Sequence, residues 1–285
     1  MPIAPHFTTE FSTNWIHRTQ QKKARLDAYV EDETFMGERK RWDRLHKQNS
    51  TERTERIEPT GAQEVGSDSV WGYRRSFKLP NILDKDDAKN LGALVLPTSG
   101  YVASHAAAYN RDLDDVAWSA ALDSVMTGEL GTTPEALPSS QKIVAGGTGL
   151  TLAKLISANE ILEGADLDDE GGRVMVVSPQ QLTNLLNTTE VKDSNYNTVK
   201  ALVEGKVDTF MGFKFIKNTR LRKVSTTRTC VAWVKGAVKR FRGAMATDIS
   251  IRTDLTNATQ ILSTWHLSAA RVYFEGVVQI DCTEA

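Results

Sequence analysis

The chain has 285 residues, 40% hydrophobic and 25% charged, and its 35 Lys and Arg against 36 Asp and Glu leave a formal net charge of -1. A chain of this length can close one large domain or two smaller ones without a disulfide or a metal, and its near-zero charge argues against a dedicated nucleic-acid binder, which would carry a basic excess. Cys230 and Cys282 are the only cysteines; they lack zinc or redox spacing, which points to a reducing compartment and to plain strand residues.

Residues Met1 to Phe11 lack a basic start followed by an apolar run, and no segment approaches the ~20 apolar residues of a bilayer span. Neither export nor a membrane partner is expected. From His17 to about Asn81 the chain is polar, with Lys22, Lys23, Arg25, Glu38, Arg39, Lys40, Arg41 and Asp43 interleaved. This stretch offers little to a core and, taken alone, fits a disordered or helical charged tail. Val70 to Leu79 speaks against that. Trp71, Tyr73, Arg75, Phe77 and Leu79 share one parity, so a strand would place four large apolar groups and one Arg on a single face. Lys40 to His46 also alternates, with Trp42 and Arg44 on one side. Two strands joined by a polar tip predict an extended hairpin, which must lean on another surface because it has no core of its own.

Pro97, Thr98 and Ser99 offer a turn and hydroxyl caps, after which Val102, Ala106, Tyr109, Leu113, Val116 and Ala120 recur at steps of three or four. The spacing predicts one long helix from about Ser99 to Met126, roughly 40 Å at ~1.5 Å per residue. Asp112, Asp114 and Asp115 on it, beside Arg111, read as surface ion pairing. A loop containing Gly131, Pro134, Pro138, Gly146, Gly147 and Gly149 follows. Then a helix from about Thr151 to Glu163 is expected to bury Leu152, Leu155, Ile156 and Leu162. Val174 to Val177 reads as a buried strand, and Ser178 with Gln181 as a capping box opening a helix with Leu182, Leu185 and Leu186. That helix ends at a polar break, Asn187 to Asn197. Strands are expected at Phe213 to Ile216, Thr229 to Val234, Asp248 to Arg252 and Val272 to Ile280, giving an α+β chain with a polar arm.

No constellation carries catalysis. The run Asp166 to Gly171 opens like a calcium loop, but its twelfth position is Val177, which has no carboxylate. The five histidines His6, His17, His46, His105 and His266 have no ligand spacing. Gly146 to Gly149 lacks the Lys and Ser or Thr of a phosphate cradle and reads as a hinge loop, and no G-x-S-x-G elbow occurs. No catalytic, cofactor-binding or metal residue is nominated, no cofactor is expected, and the chain is read as no enzyme. Lys235, Lys239, Arg240 and Arg242, interleaved with Trp233 and Phe241, could touch nucleic acid; strand edges or subunit contacts explain them as well and are preferred.

Residues Asn81 to Leu122 resemble the signature of tailed-phage major capsid proteins with the Hong Kong 97 type fold. The likeness rests on an acidic turn at Asp84 to Asp87, the helix start Pro97 to Tyr101, the alanines Ala106 to Ala108 and the step Arg111 to Asp115. Leu96 stands where that family commonly has Asp. Arg173 to Leu186 resembles the family's hydrophobic strand, S-P and Leu-rich helix, and Gly205 to Leu221 is similar to its G-x-V strand pair. The resemblance implies an N-terminal arm (1–30), an extended loop (31–80), a peripheral domain with a spine helix (81–145), an axial domain (146–257) and a return to the peripheral domain (258–285). It also implies a virion protein, made in the host bacterial cytoplasm, that self-assembles into hexamers and pentamers of an icosahedral head around DNA. Its partners would be copies of itself, scaffolding and portal proteins, packaged DNA non-specifically and possible decoration proteins. Trp42, Arg44, Trp71, Tyr73, Arg75 and Phe77 are the candidate interface residues, with Trp71, Tyr73 and Phe77 as anchors on a neighbour. The rival reading is a soluble α+β enzyme or ligand-binding protein with a charged N-terminal extension.

Overall fold

The structure is a computed structural model that describes residues 20–34, 37–54, 56, 61, 64–83, 100–167, 172–187 and 209–284. The expected acidic turn at Asp84 to Asp87, the polar break after Asn187 and most of the run Asp166 to Gly171 lie outside these residues. The strands are β1 Glu31–Glu33, β2 Arg39–Leu45, β3 Ser67–Tyr73, β4 Arg75–Leu83, β5 Val125–Thr127, β6 Thr133–Glu135, β7 Lys142–Ile143 and β8 Arg173–Val177. They continue with β9 Thr209–Phe210, β10 Phe213–Lys217, β11 Lys223–Val224, β12 Thr227–Val234, β13 Val238–Arg242, β14 Ala246–Arg252, β15 Ala258–Arg271 and β16 Val277–Thr283. The helices are α1 Gly100–Leu122, α2 Leu152–Gly164 and α3 Pro179–Asn187.

The larger core belongs to a seven-stranded sheet ordered β7-β16-β12-β8-β10-β9, with β11 also on β12. Its central strands are apolar runs and not alternations because they are covered on both faces: Val174 to Val177 and Cys230 to Trp233 are all fully buried. α2 packs against β7, β12 and β16. The Thr151 hydroxyl caps it by accepting from the Lys154 N–H. Leu155 and Leu162 are buried as expected, but Ile156 faces outward, half exposed. The capping box before α3 is half formed. Ser178 Oγ accepts from the Gln181 N–H at 3.3 Å, while the Gln181 side chain, fully buried, accepts from the Leu150 N–H at 2.8 Å and donates to the Thr283 carbonyl at 3.3 Å. It staples a loop and β16 to α3 in place of closing the box.

The second layer is built on β15, fourteen residues long, which the strand expectations missed. β4 runs along one edge of it and β13 followed by β14 along the other, and β1 joins β13 in parallel. Its polar Thr, Ser and His residues mask the alternation in sequence. α1 lies on this sheet, with Leu113 and Val116 against Trp265 and Leu267. The Trp265 ring stacks on Phe77 at 6.2 Å and meets Tyr109 edge-on at 6.0 Å. The helix stops at Leu122, short of the expected Met126, because Val125 to Thr127 turn into β5 and pair with β3. Val272 to Ile280 is likewise not one strand: β15 ends at Arg271, and β16 begins at Val277 in the other sheet. The division expected at residue 257 is therefore not the division of the sheets, since β13 and β14 lie with α1 and β16 lies with β12.

A small sheet, β2-β3-β5-β6, carries the base of the hairpin. Trp42, Val70 and Val125 pack there with Ala270, Val272 and Phe274.

Candidate assembly interface

The single-face expectation for Val70 to Leu79 fails at Arg74, where the chain leaves one sheet and enters another. In β3 the buried positions are Val70 and Gly72, leaving Trp71 and Tyr73 on the opposite side. In β4 the inward parity is that of Phe77, Leu79 and Leu83, while Arg75 is exposed. Gly72 is needed because a Cβ there would lie 2.6 Å from the Trp42 ring.

Among the described residues, every candidate hairpin residue except Arg75 has a side-chain partner. Trp42 is buried and donates its indole N–H to Glu33 at 3.0 Å. Arg44 donates to the Val272 carbonyl at 3.0 Å and pairs with Asp68 at 3.2 Å. The Trp71 indole donates to the Gly128 carbonyl at 2.7 Å, and the Tyr73 hydroxyl to that of Gly131 at 2.8 Å. Gly131 sits at φ +67, and a Cβ there would strike the Trp71 ring at 2.7 Å. Phe77 stacks on Trp265. Farther out, Lys47 pairs with Asp166 beyond the end of α2. The base of the hairpin is thus fixed to its own body.

Residues 20–33 are held by charge and by two apolar anchors, Leu26 and Val30. Asp114, expected on the surface, is buried and accepts from the Arg25 N–H at 2.9 Å, the Leu26 N–H at 3.1 Å and Gln21 Nε2 at 2.5 Å. Burial pushes its carboxyl up, against those donors. Asp112 accepts from the Trp265 indole at 3.2 Å, and Asp115 makes a partly exposed ion pair of the kind expected, with Arg220 at 2.7 Å, so the acidic run on α1 tethers neighbouring segments. Leu26 and Val30 drop into the larger core, and Trp233 Nε1 donates to the Tyr29 carbonyl at 3.0 Å.

β1 is wholly acidic and lies on a basic strand, with Glu31 opposite Lys239 and Asp32 opposite Arg240. The Arg240 side chain has no exposed surface, pairs with Asp27 and Asp32, each at 2.7 Å, and donates to the Leu113 carbonyl at 3.3 Å. Arg242 also reaches Asp27, at 2.5 Å. Glu33 is ringed by Lys40, Lys239 and Trp42. Burial would push its carboxyl up, but hydrogen bonds from those three outweigh it and hold the pKa at about 2. Three of the four basic residues singled out in the sequence, Lys239, Arg240 and Arg242, are therefore consumed inside the chain while Lys235 is exposed, and their partners, Asp27 and Glu31 to Glu33, were missed.

Two buried cations have no carboxylate within 4 Å among the described residues. Arg271 caps the C-terminus of α1, donating to the Ala121 carbonyl at 2.6 Å and the Asp123 carbonyl at 3.2 Å. Burial lowers its pKa to about 10. Lys154 Nζ lies 2.8–3.0 Å from the carbonyls of Ala145, Thr148, Gly149 and Asp281 and shares its three N–H donors among them, pinning the glycine loop read as a hinge. Cys230 and Cys282 are free and buried, as expected of strand residues. His105 is buried between Asn81 and Ser263, and burial lowers its pKa.

A family model described as phage capsid protein matches residues 3–284 of this chain. No curated protein sequence matches it. Among solved structures, the head structure of Helicobacter pylori bacteriophage KHP40 aligns with a TM-score of 0.72 at 8% identity, covering 98% of this chain and 96% of that one. Mycobacterium phage Che8 aligns with a TM-score of 0.70 at 15% identity, covering 98% of both chains. The capsid of Ralstonia phage GP4 gives 0.68 at 12% identity, covering 99% and 96%. At these identities the likeness shows the fold, and it is the Hong Kong 97 type α+β fold.

Proposed function

The chain belongs to the phage capsid protein family, whose members are structural shell proteins of the virion and not enzymes, and from that premise we propose that its copies close into the hexamers and pentamers of an icosahedral tailed-phage head around packaged DNA. The observation that carries this reading is the family match over residues 3–284, seated on a fold shared end to end with phage head proteins. In this reading α1 with the β15 sheet is the peripheral body, with α1 as its spine. The seven-stranded sheet with α2 and α3 is the axial body, and β2 with β3 is the base of the extended loop. The loop's outer part, from His46 to Gly66, is where a neighbour would be met, because Trp42, Trp71 and Phe77 are already engaged at home. Contact with DNA would be weak and non-specific, since Arg240 and Arg242 are taken up by Asp27 and Asp32. Scaffolding, portal and decoration proteins would be further partners. Electron microscopy of the purified protein tests the reading: closed shells or capsomer sheets are expected, and a stable small oligomer under assembly conditions would contradict it.

A further inference from the structure

The β15 sheet has two outer edges, and they differ. β4 carries Lys78 and Pro80, two residue types that natural sheets use to blunt an edge against strand addition. β14, with the sequence ATDISIR, has neither, and six of its seven residues are exposed. Among the described residues β14 pairs only with β15, which leaves its outer backbone edge open over seven residues.

We propose that this edge pairs antiparallel with β14 of a second copy, about a two-fold axis through Ser250. The inference rests on the capsid reading, in which the partner in greatest supply is another copy of this chain. It stands on the self-complementarity of the strand. Directly opposed residues in a sheet point to the same side, so a two-fold axis normal to the sheet must pass through a residue. With the axis at Ser250, Asp248 faces Arg252 twice and Ile249 faces Ile251 twice. With the axis at Ile251, Asp248 would face Asp254. With the axis at Ile249, Asp248 would face Ser250 and no ion pair would form. Of these three, only the Ser250 register matches charge to charge and apolar to apolar.

The residues are free to do so. Asp248 has no ion pair among the described residues, and Arg252 is held only at the surface, by Asp254 at 2.7 Å and Gln260 at 2.9 Å. Ile249 and Ile251 are 39% and 68% exposed, side by side on one face of an edge strand. Pairing would cover both and join two five-stranded sheets into one.

Ser250→Cys tests the register. Across the axis the two Cα atoms would lie about 4.5 or 5.5 Å apart, and both values fall within the roughly 4.4–6.8 Å of disulfides. The native cysteines are buried and do not compete. After assembly and oxidation with copper phenanthroline and dioxygen, more than half of the Ser250→Cys chains should run as dimers on a non-reducing gel. A Thr256→Cys control in the β14–β15 turn should stay monomeric. Ser250→Cys particles whose chains stay monomeric, or cross-link no faster than the Thr256→Cys control, overturn the pairing and leave the capsid reading intact, whereas failure of the wild-type chain to form particles overturns that reading. Asp248→Arg supplies a second readout: it should reduce particle yield at least tenfold, and adding Arg252→Asp should restore it. Unchanged yield in the single variant overturns the pairing.

Discussion

The seven-stranded sheet and the acidic strand β1 are joined to the same molecule by opposite means. The sheet is held chiefly by apolar area: Phe213, Met175, Val231 and Trp233 are fully buried, and among the described residues an ion pair enters its interior only at the end of β16, where the buried Glu284 meets Arg228 at 2.7 Å. β1 has no buried side chain and adheres, with Asp27 just before it, through Glu31, Asp32 and Glu33 to Lys239, Arg240 and Arg242. An apolar core is insensitive to pH and unfolds as a unit, while a charge seam answers to protonation and can open by itself.

The largest effect is expected in the body. Phe213→Ala should cost roughly 3–5 kcal/mol through lost burial and the cavity left behind, seen as a matching fall in the urea midpoint for the whole chain. A loss confined to the arm would break the comparison. Arg240→Met should cost less, roughly 1–3 kcal/mol, because Asp27 and Asp32 keep partial access to water when stranded. Its mark should be local, with protease cleavage between Leu26 and Glu33 rising while the seven-stranded sheet stays protected.

The pH response has a defined sign. Glu33 has a folded pKa of about 2 against an ordinary 4.5, so its contribution is fully present above 4.5 and is lost as pH falls towards 2. At Asp27 burial pushes the carboxyl up, but Arg240 and Arg242 outweigh it and lower the pKa, so this group acts in the same direction. Arm release should therefore follow acidification through that window, and Glu33→Gln should weaken the response, as read by exchange of the β1 amides. The smallest effect is expected at Lys47→Ala. Its pair with Asp166 is exposed on both sides, and the melting temperature should not shift measurably.

What the sequence revealed and what it concealed follow the same division. Local signals were legible where the pattern lies within one element: the helix of Leu113 and Val116, the helix opening near Thr151, the buried run Val174 to Val177. Strand faces were not, because Trp71 and Phe77 share a parity that the bend at Arg74 separates into two sheets. Arg240 looked like surface because its carboxylates lie more than 200 residues away, as Glu33 does from Lys239. A triplet Glu-Asp-Glu and a triplet Lys-Arg-Phe were visible as charge, but nothing in their spacing announced that they were paired. The candidate interface was the least decidable, since large aromatics mark a contact without saying whether it is within the chain or between chains.

The most direct test of the charge-held arm on an apolar body is amide hydrogen exchange at pH 7 and about pH 3.5, inside the window in which Glu33 loses its contribution, corrected for intrinsic rates. Protection of Glu31 to Glu33 is predicted to fall at least tenfold on acidification while that of Val174 to Val177 and Val231 to Trp233 is unchanged. Equal loss in both regions, or an arm as well protected in acid as at neutral pH, would contradict it.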